Sequence, residues 1–213
     1  MGYVVKTLFE RFPELLVVED EVDSAFQTLK NVFRAGGTLF VCGNGGSAAD
    51  AEHVVGELMK GFLLPRRIKS ETRNALFEMY GDAGLAIADN LQEGLPAVSL
   101  TGHPALSTAF ANDVAPELIF AQQLYGLAKR DDALLAFSTS GNSENVVKAL
   151  MMAKVIGVST IAMLGRNGGE CAKFADTVIC VPEDETYKVQ ELHLPVYHAL
   201  CAMLEEEFYG CEC

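Results

Sequence analysis

His53 and Glu57 stand four residues apart in "AADAEHVVGELM", a stretch that reads as helix. Residues i and i+4 project about 40° apart around a helix, so the imidazole and the carboxylate lie on one face and can share a ligand. A second set lies near the end of the chain, where "VQELHLPVYHALC" offers Gln190, Glu191, His193 and His198. Gln190 and His198 are about 80° apart around that helix, near enough to converge on a group held against its side. Three of the four histidines of the chain lie in these two segments. Paired imidazole and carboxylate groups suit proton transfer and divalent-metal binding.

Two further stretches suit an anion. In "VCGNGGSAAD", Gly43, Gly45 and Gly46 let backbone N–H groups approach a ligand, and Ser47 opens a helix whose positive dipole end favours negative charge. The pattern matches neither nucleotide-binding glycine fingerprint; by itself it reads either as a tight strand-to-helix connection or as a phosphate or sugar cradle of another kind. In "FSTSGNSENVVKAL", residues 137–150, Ser138, Thr139, Ser140 and Ser143 surround Gly141 before an amphipathic helix. A helix cap accounts for Ser143 but not for the three hydroxyls before the glycine. Hydroxyls and N–H groups at a helix start can hold phosphate oxygens without a cationic side chain.

The elements that must position these groups follow from hydropathy. "TLFVCG", "LPAVSLTG", "ALLAFST", "STIAMLG" and "TVICVP" are short and almost wholly apolar, as strands buried on both faces are. Helical patterns lie between them, with two more before the first strand, at about 3–11 and 17–34, and one at about 186–209. The alternation predicts a single α/β domain spanning 1–213, with a parallel sheet of about five strands, helices on both faces and ligands at the carboxyl ends of the strands.

The net charge of −13 and pI near 4.7 argue against partners such as nucleic acid or anionic membranes. No apolar run approaches ~20 residues and the first residues lack a secretory pattern, so a cytoplasmic protein is expected. The six cysteines are scattered without C-x-x-C pairs, and the terminal "CEC" reads as a solvated tail. Lys60, Arg66, Arg67, Lys69 and Arg73 crowd one stretch, which is either a solvated face or a cationic rim over an anionic substrate.

"GNGGSAADAEH", "STSGNSENV" and "VQELHLPVYHALC", in this order, resemble the sugar isomerase (SIS) domain and, within it, the phosphoheptose isomerases, from about residue 20 to 208. The resemblance implies a three-layer α/β/α sandwich with a five-stranded parallel sheet, and a homotetramer with active sites between subunits. It implies a divalent ion, zinc by its ligand chemistry, held by His53, Glu57, Gln190 and His198. Ser47, Ser138, Thr139, Ser140 and Ser143 would hold the phosphate, with Asn44 and Gly45 near the sugar hydroxyls and Gln190 and His103 as further substrate contacts. The reaction implied converts a ketose 7-phosphate, sedoheptulose 7-phosphate, into an aldose 7-phosphate through a cis-enediol. Glu57 would be the base, and His198 would move the proton on the other side. A carboxylate bound tightly to a dication is a poor base, so this double role requires loose coordination or a partly structural metal.

The chain departs from the family pattern in three places. "TGH" puts His103 where a substrate-recognising aspartate is expected, and His103 is either its replacement or a loop histidine before Pro104. Gly61, with Lys60 beside it, stands where many members carry arginine, and the stretch 63–94 is longer than in compact members. These changes keep two other readings open: an isomerase of a six-carbon phosphosugar, and a non-catalytic SIS regulator or scaffold. The presence of His53, Glu57, Gln190 and His198 together favours an enzyme. Pro195 falls between Gln190 and His198, where it either bends the helix and aims the two groups or is tolerated in a helix end packed against another subunit.

Overall fold

The computed structural model describes residues 3–210. Five strands, β1 (Leu39–Cys42), β2 (Ala97–Ser99), β3 (Ala133–Ser138), β4 (Ser159–Leu164) and β5 (Thr177–Cys180), form one parallel sheet in the order β2-β1-β3-β4-β5. Each lies inside one of the apolar runs read as strands. Leu39 and Val41 of β1, with Ala133, Leu135 and Phe137 of β3, face one buried cluster, and Phe40, Cys42, Leu134 and Ala136 face the other. A strand covered on both sides has no polar face to show, which is why the runs lack alternation.

The helices in chain order are α1 (Tyr3–Arg11), α2 (Glu19–Arg34), α3 (Gly46–Met59), α4 (Ser70–Tyr80), α5 (Asp82–Ala88), α6 (Pro104–Asp113), α7 (Ile119–Leu127), α8 (Glu144–Ile156) and α9 (Thr186–Tyr209). Apolar residues of α1, α2, α3 and α9 share the first cluster with one face of the sheet, and α7 and α8 cover the other face. This is the expected α/β/α sandwich. The helix expected from residue 17 begins at Glu19, because Pro13–Val18 forms a 3-10 turn started by proline, and Glu19, Asp20 and Glu21 then favour the positive helix start. Pro195 sits inside α9, which continues through it.

Residues 60–94 form a pinned loop followed by the α4–α5 pair. Glu205, on α9 and 1% exposed, accepts hydrogen bonds from the N–H groups of Phe62, Leu63 and Leu64 and from Arg66 Nε, at 2.8, 2.6, 3.0 and 2.7 Å. Arg66 also donates to the Leu58 carbonyl at 2.6 Å and lies over the Tyr209 ring. The cationic-rim reading is therefore corrected for Arg66, which is a buried strut. Arg73 pairs with Asp89, and Lys60 with Glu57. α4 buries none of its residues and exposes Phe77, Met79 and Tyr80.

Among the described residues, Cys42, Cys171, Cys180 and Cys201 are free thiols, and no helix is long and apolar enough to cross a membrane. The terminal "CEC", with Cys211 and Cys213, lies outside the described residues.

Candidate active site

β1 and β3 are neighbours in the sheet, so the loops leaving their carboxyl ends emerge side by side. One enters α3 through Gly45, which has no side chain with which to cap the first turn; the other enters α8 through Ser143, whose hydroxyl makes no capping bond. Both helix starts keep N–H donors and a positive dipole end for an anion. The Ser143 hydroxyl instead accepts from Ser138 Oγ at 3.1 Å, and Ser140 Oγ accepts from the Asn142 N–H at 3.2 Å. Ser47 and Ser138 are buried, Thr139 is half-buried and Ser140 is exposed, so the hydroxyls run from the floor of the loop to its rim. Gly141, at φ +67°, packs so closely on Gly168 that a Cβ would collide with the Gly168 backbone. That contact seats the hydroxyl loop on the loop after β4.

The two mouths are tied together. Asn44 Nδ2 donates to Asn145 Oδ1 at 2.8 Å, and Asn145 Nδ2 donates to Asn44 Oδ1 at 2.9 Å. Asn44, expected near the sugar hydroxyls, is thus engaged in holding one cradle against the other. Gln190 lies over the first residue of α3: a Cβ built on Gly46 would sit 2.5 Å from Gln190 Nε2. Eight residues of helix, about 12 Å of rise, separate Gln190 from His198.

Further along α3, His53 Nε2 lies 3.2 Å from Glu57 Oε1 and 3.4 Å from His198 Nε2. The other Glu57 oxygen is 3.3 Å from Lys60 Nζ. Burial first, and then the neighbouring His53, hold the His198 imidazole below its ordinary pKa, against an opposing effect of Glu57. The structure thus brings together His53, Glu57 and His198, and places Gln190 at the mouth of α3 beside the anion cradle.

His53 Nδ1 is 3.0 Å from the Tyr197 hydroxyl, which donates to Asp50 Oδ1 at 3.2 Å. With its proton given to Asp50, the Tyr197 oxygen accepts from His53 Nδ1–H. A neutral His53 then carries a lone pair at Nε2, facing a carboxylate oxygen and a second imidazole nitrogen. A divalent cation among these three groups would satisfy that lone pair. Separations of 3.2 and 3.4 Å are close to the edge of a tetrahedron with metal–ligand bonds of about 2.1 Å, roughly 3.4 Å. The donor set therefore fits a zinc-like ion. The contacts are hinged on His53 Nε2, and among the described residues no three His, Cys, Asp or Glu side chains are already grouped tightly enough to hold a metal.

His193 is buried in the core against the Phe137 ring, with Nε2 near the Leu164 carbonyl. Burial pushes its pKa down to about 4, against a smaller effect of that carbonyl. It is removed from the candidate acid–base set. His103 stands at the residue before α6 without a side-chain capping bond, and its Nδ1 is 2.7 Å from Gln123 Oε1. Gln123 Nε2 donates to the Leu100 and Ile119 carbonyls at 2.9 and 3.1 Å, so its Oε1 is the acceptor and His103 carries its proton on Nδ1. The same loop is linked to α3 by Thr101 Oγ1, which donates to Glu52 at 2.9 Å.

Asp50, Tyr197 and Asn145 were missed as site residues from the sequence. Asp50, three residues before His53, was open to a helix-spacing argument; the other two depend on contacts between distant segments.

A family profile described as the SIS domain matches residues 75–165. The chain is 38% identical over 190 residues to a phosphoheptose isomerase of Geotalea daltonii, covering 89% of this chain and 85% of that one. Among solved structures, a phosphoheptose isomerase from Francisella tularensis superposes with a TM-score of 0.74 at 28% identity, covering 95% of this chain and 96% of that one. The phosphoheptose isomerase of Neisseria gonorrhoeae superposes with a TM-score of 0.72, also at 28% identity, covering 95% and 91%.

Proposed function

The chain belongs to the phosphoheptose isomerase family of SIS-domain proteins, and we propose that it is an aldose–ketose isomerase whose ketose substrate is sedoheptulose 7-phosphate. One observation carries the reading: His53 and Glu57, met by His198 from α9, stand on the same α3 whose start, side by side with that of α8, offers an anion cradle. A sugar phosphate needs both ends of that arrangement.

In the proposed mechanism the helix starts and hydroxyls of the 43–47 and 138–143 loops bind the phosphate, leaving the carbonyl end of the sugar to Glu57 and His198. Glu57 takes the proton from C1 of the ketose, the electron pair moves into the C1–C2 bond, and His198, as the imidazolium, gives its proton to O2, so that a cis-enediol forms. His198 then takes the proton from O1 as the C1 carbonyl forms, and Glu57 returns its proton to C2 to give the aldose. Proton transfers by positioned groups of this kind typically supply 10²- to 10⁴-fold each. Two imidazoles and a carboxylate, from His53, His198 and Glu57, would hold a divalent ion such as zinc; Gln190, the fourth ligand that the family resemblance implies, instead has its amide over Gly46 at the start of α3. When bound, the ion would polarise the carbonyl oxygen and stabilise negative charge there.

Incubation with a panel of ketose and aldose phosphates, with products identified by NMR, tests the reading. Conversion of sedoheptulose 7-phosphate to an aldose 7-phosphate is expected; turnover of six-carbon phosphates only, or of none, overturns it. Ser140→Ala with Ser143→Ala should weaken sugar-phosphate binding about tenfold or more, since hydrogen bonds to a charged group contribute about 1.5–3 kcal/mol each. Unphosphorylated sugars should be unaffected, and equal weakening of both would remove the phosphate from this loop.

The assembly we propose is a homotetramer with active sites between subunits. The apolar side chains that α4 presents outward, Phe77, Met79 and Tyr80, support it, because another chain packed there would remove them from water. Sedimentation equilibrium should give four chain masses, and a monomer at micromolar concentration would refute this.

A further inference from the structure

We propose that Asp50 and Tyr197 are positioning residues that hold His53 in its Nδ1–H tautomer, so that its Nε2 lone pair is presented to a divalent cation between Glu57 and His198. The proposal deepens the metal reading given above and rests on it for its cation.

The geometry is a chain of three hydrogen-bonding groups from two helices. Asp50 and His53 lie on α3, three residues apart, and Tyr197 comes from α9. The Tyr197 hydroxyl stands 3.2 Å from Asp50 Oδ1 and 3.0 Å from His53 Nδ1, and has a single proton to give. A carboxylate only accepts, so the proton goes to Asp50 and the phenol oxygen accepts from Nδ1–H.

Two further observations indicate that the carboxylate serves the chain of bonds. Asp50 Oδ2 is buried with no hydrogen-bond partner, so the group forgoes solvation on one oxygen while the other holds Tyr197. The Tyr197 ring is 1% exposed and meets Phe137 edge-to-face and His198 at a centroid distance of 4.9 Å, which leaves it no freedom to turn the hydroxyl away. The relay therefore fixes both the ring plane of His53 and the nitrogen that carries its proton. Outer partners of this kind commonly set ligand orientation and basicity, and their loss costs about 10- to 100-fold in metal affinity.

Tyr197→Phe keeps the buried ring and removes only the hydroxyl. Nitrogen-15 spectra of histidine-labelled, metal-free protein should show His53 protonated at Nδ1 in the parent and shifted toward the Nε2–H tautomer, bonded to Glu57, in the variant. A parent spectrum with the proton at Nε2, or a variant spectrum unchanged from the parent, overturns the proposal. Zinc affinity, measured by competition with a chelator, should fall at least ~10-fold in the variant while its thermal unfolding stays cooperative. An unchanged affinity alongside a changed tautomer overturns the part that concerns the cation. If the parent binds no zinc, the metal reading itself fails, and the tautomer spectra alone decide for or against the relay.

Discussion

Glu57→Gln is expected to turn over the best sugar phosphate at least ~10²-fold more slowly than the parent, the usual loss when a general base is removed. The amide keeps the size of the carboxylate and can still meet His53 and Lys60, which lie 3.2 and 3.3 Å from its two oxygens. What it cannot do is take a proton from carbon. Calorimetric binding of the sugar phosphate should survive, which separates loss of chemistry from loss of the site. Solvent exchange is the sharper readout: the parent should incorporate deuterium at the carbon beside the carbonyl during isomerisation, and the variant should not. Near-normal turnover in Glu57→Gln would transfer the proton-abstracting role to His198, because His193 is closed off in the core.

The largest effect on stability is expected at Glu205. Its carboxylate is inside the protein and accepts from three successive N–H groups and from Arg66, so Glu205→Ala strands a buried guanidinium and three amides at once. Removing one member of a buried ion pair costs about 3–5 kcal/mol, and urea unfolding should show a loss of that size. Arg66→Ala should cost a similar amount. The double variant should lose less than the sum, because the second change removes the charge that the first left unpaired. Burial raises the Glu205 pKa, but the Phe62 and Leu63 N–H groups and Arg66 outweigh it and hold the carboxyl below its ordinary value. A depressed carboxylate stabilises the fold above the unfolded pKa and loses that contribution as pH falls through the folded one. The gap between parent and Glu205→Ala should therefore narrow below the usual carboxylate range. A gap independent of pH would mean that packing, not charge, holds the loop.

Strand positions were legible because a doubly covered strand imposes apolar residues at every position, and β1 and β3 sit within the runs "TLFVCG" and "ALLAFST". The α4–α5 pair was not, because a helix shows an apolar stripe only where a core selects for one, and α4 has no buried residue in this chain. In the site, His53 and Glu57 could be found from spacing along one helix, and the hydroxyl loop from its composition. The link from Asp50 to Tyr197 could not, since it joins residues 147 apart in sequence. Nor does a run of five cations say which one will be buried: Arg66 resembles its neighbours until Glu205 arrives from the far end of the chain.

The contact between Gln190 and Gly46 bears on how such a protein can vary. Any side chain at position 46 would meet the far end of Gln190, at 2.5 Å from its Nε2, and not a rigid stretch of backbone. The flexible amide would swing aside and the helix would stand, so a substitution there is recorded as an eviction of Gln190 and not as a loss of fold. A side chain at 46 therefore acts on the site and not on the fold: it relocates the Gln190 amide away from the start of α3 while the surrounding backbone stays as it is.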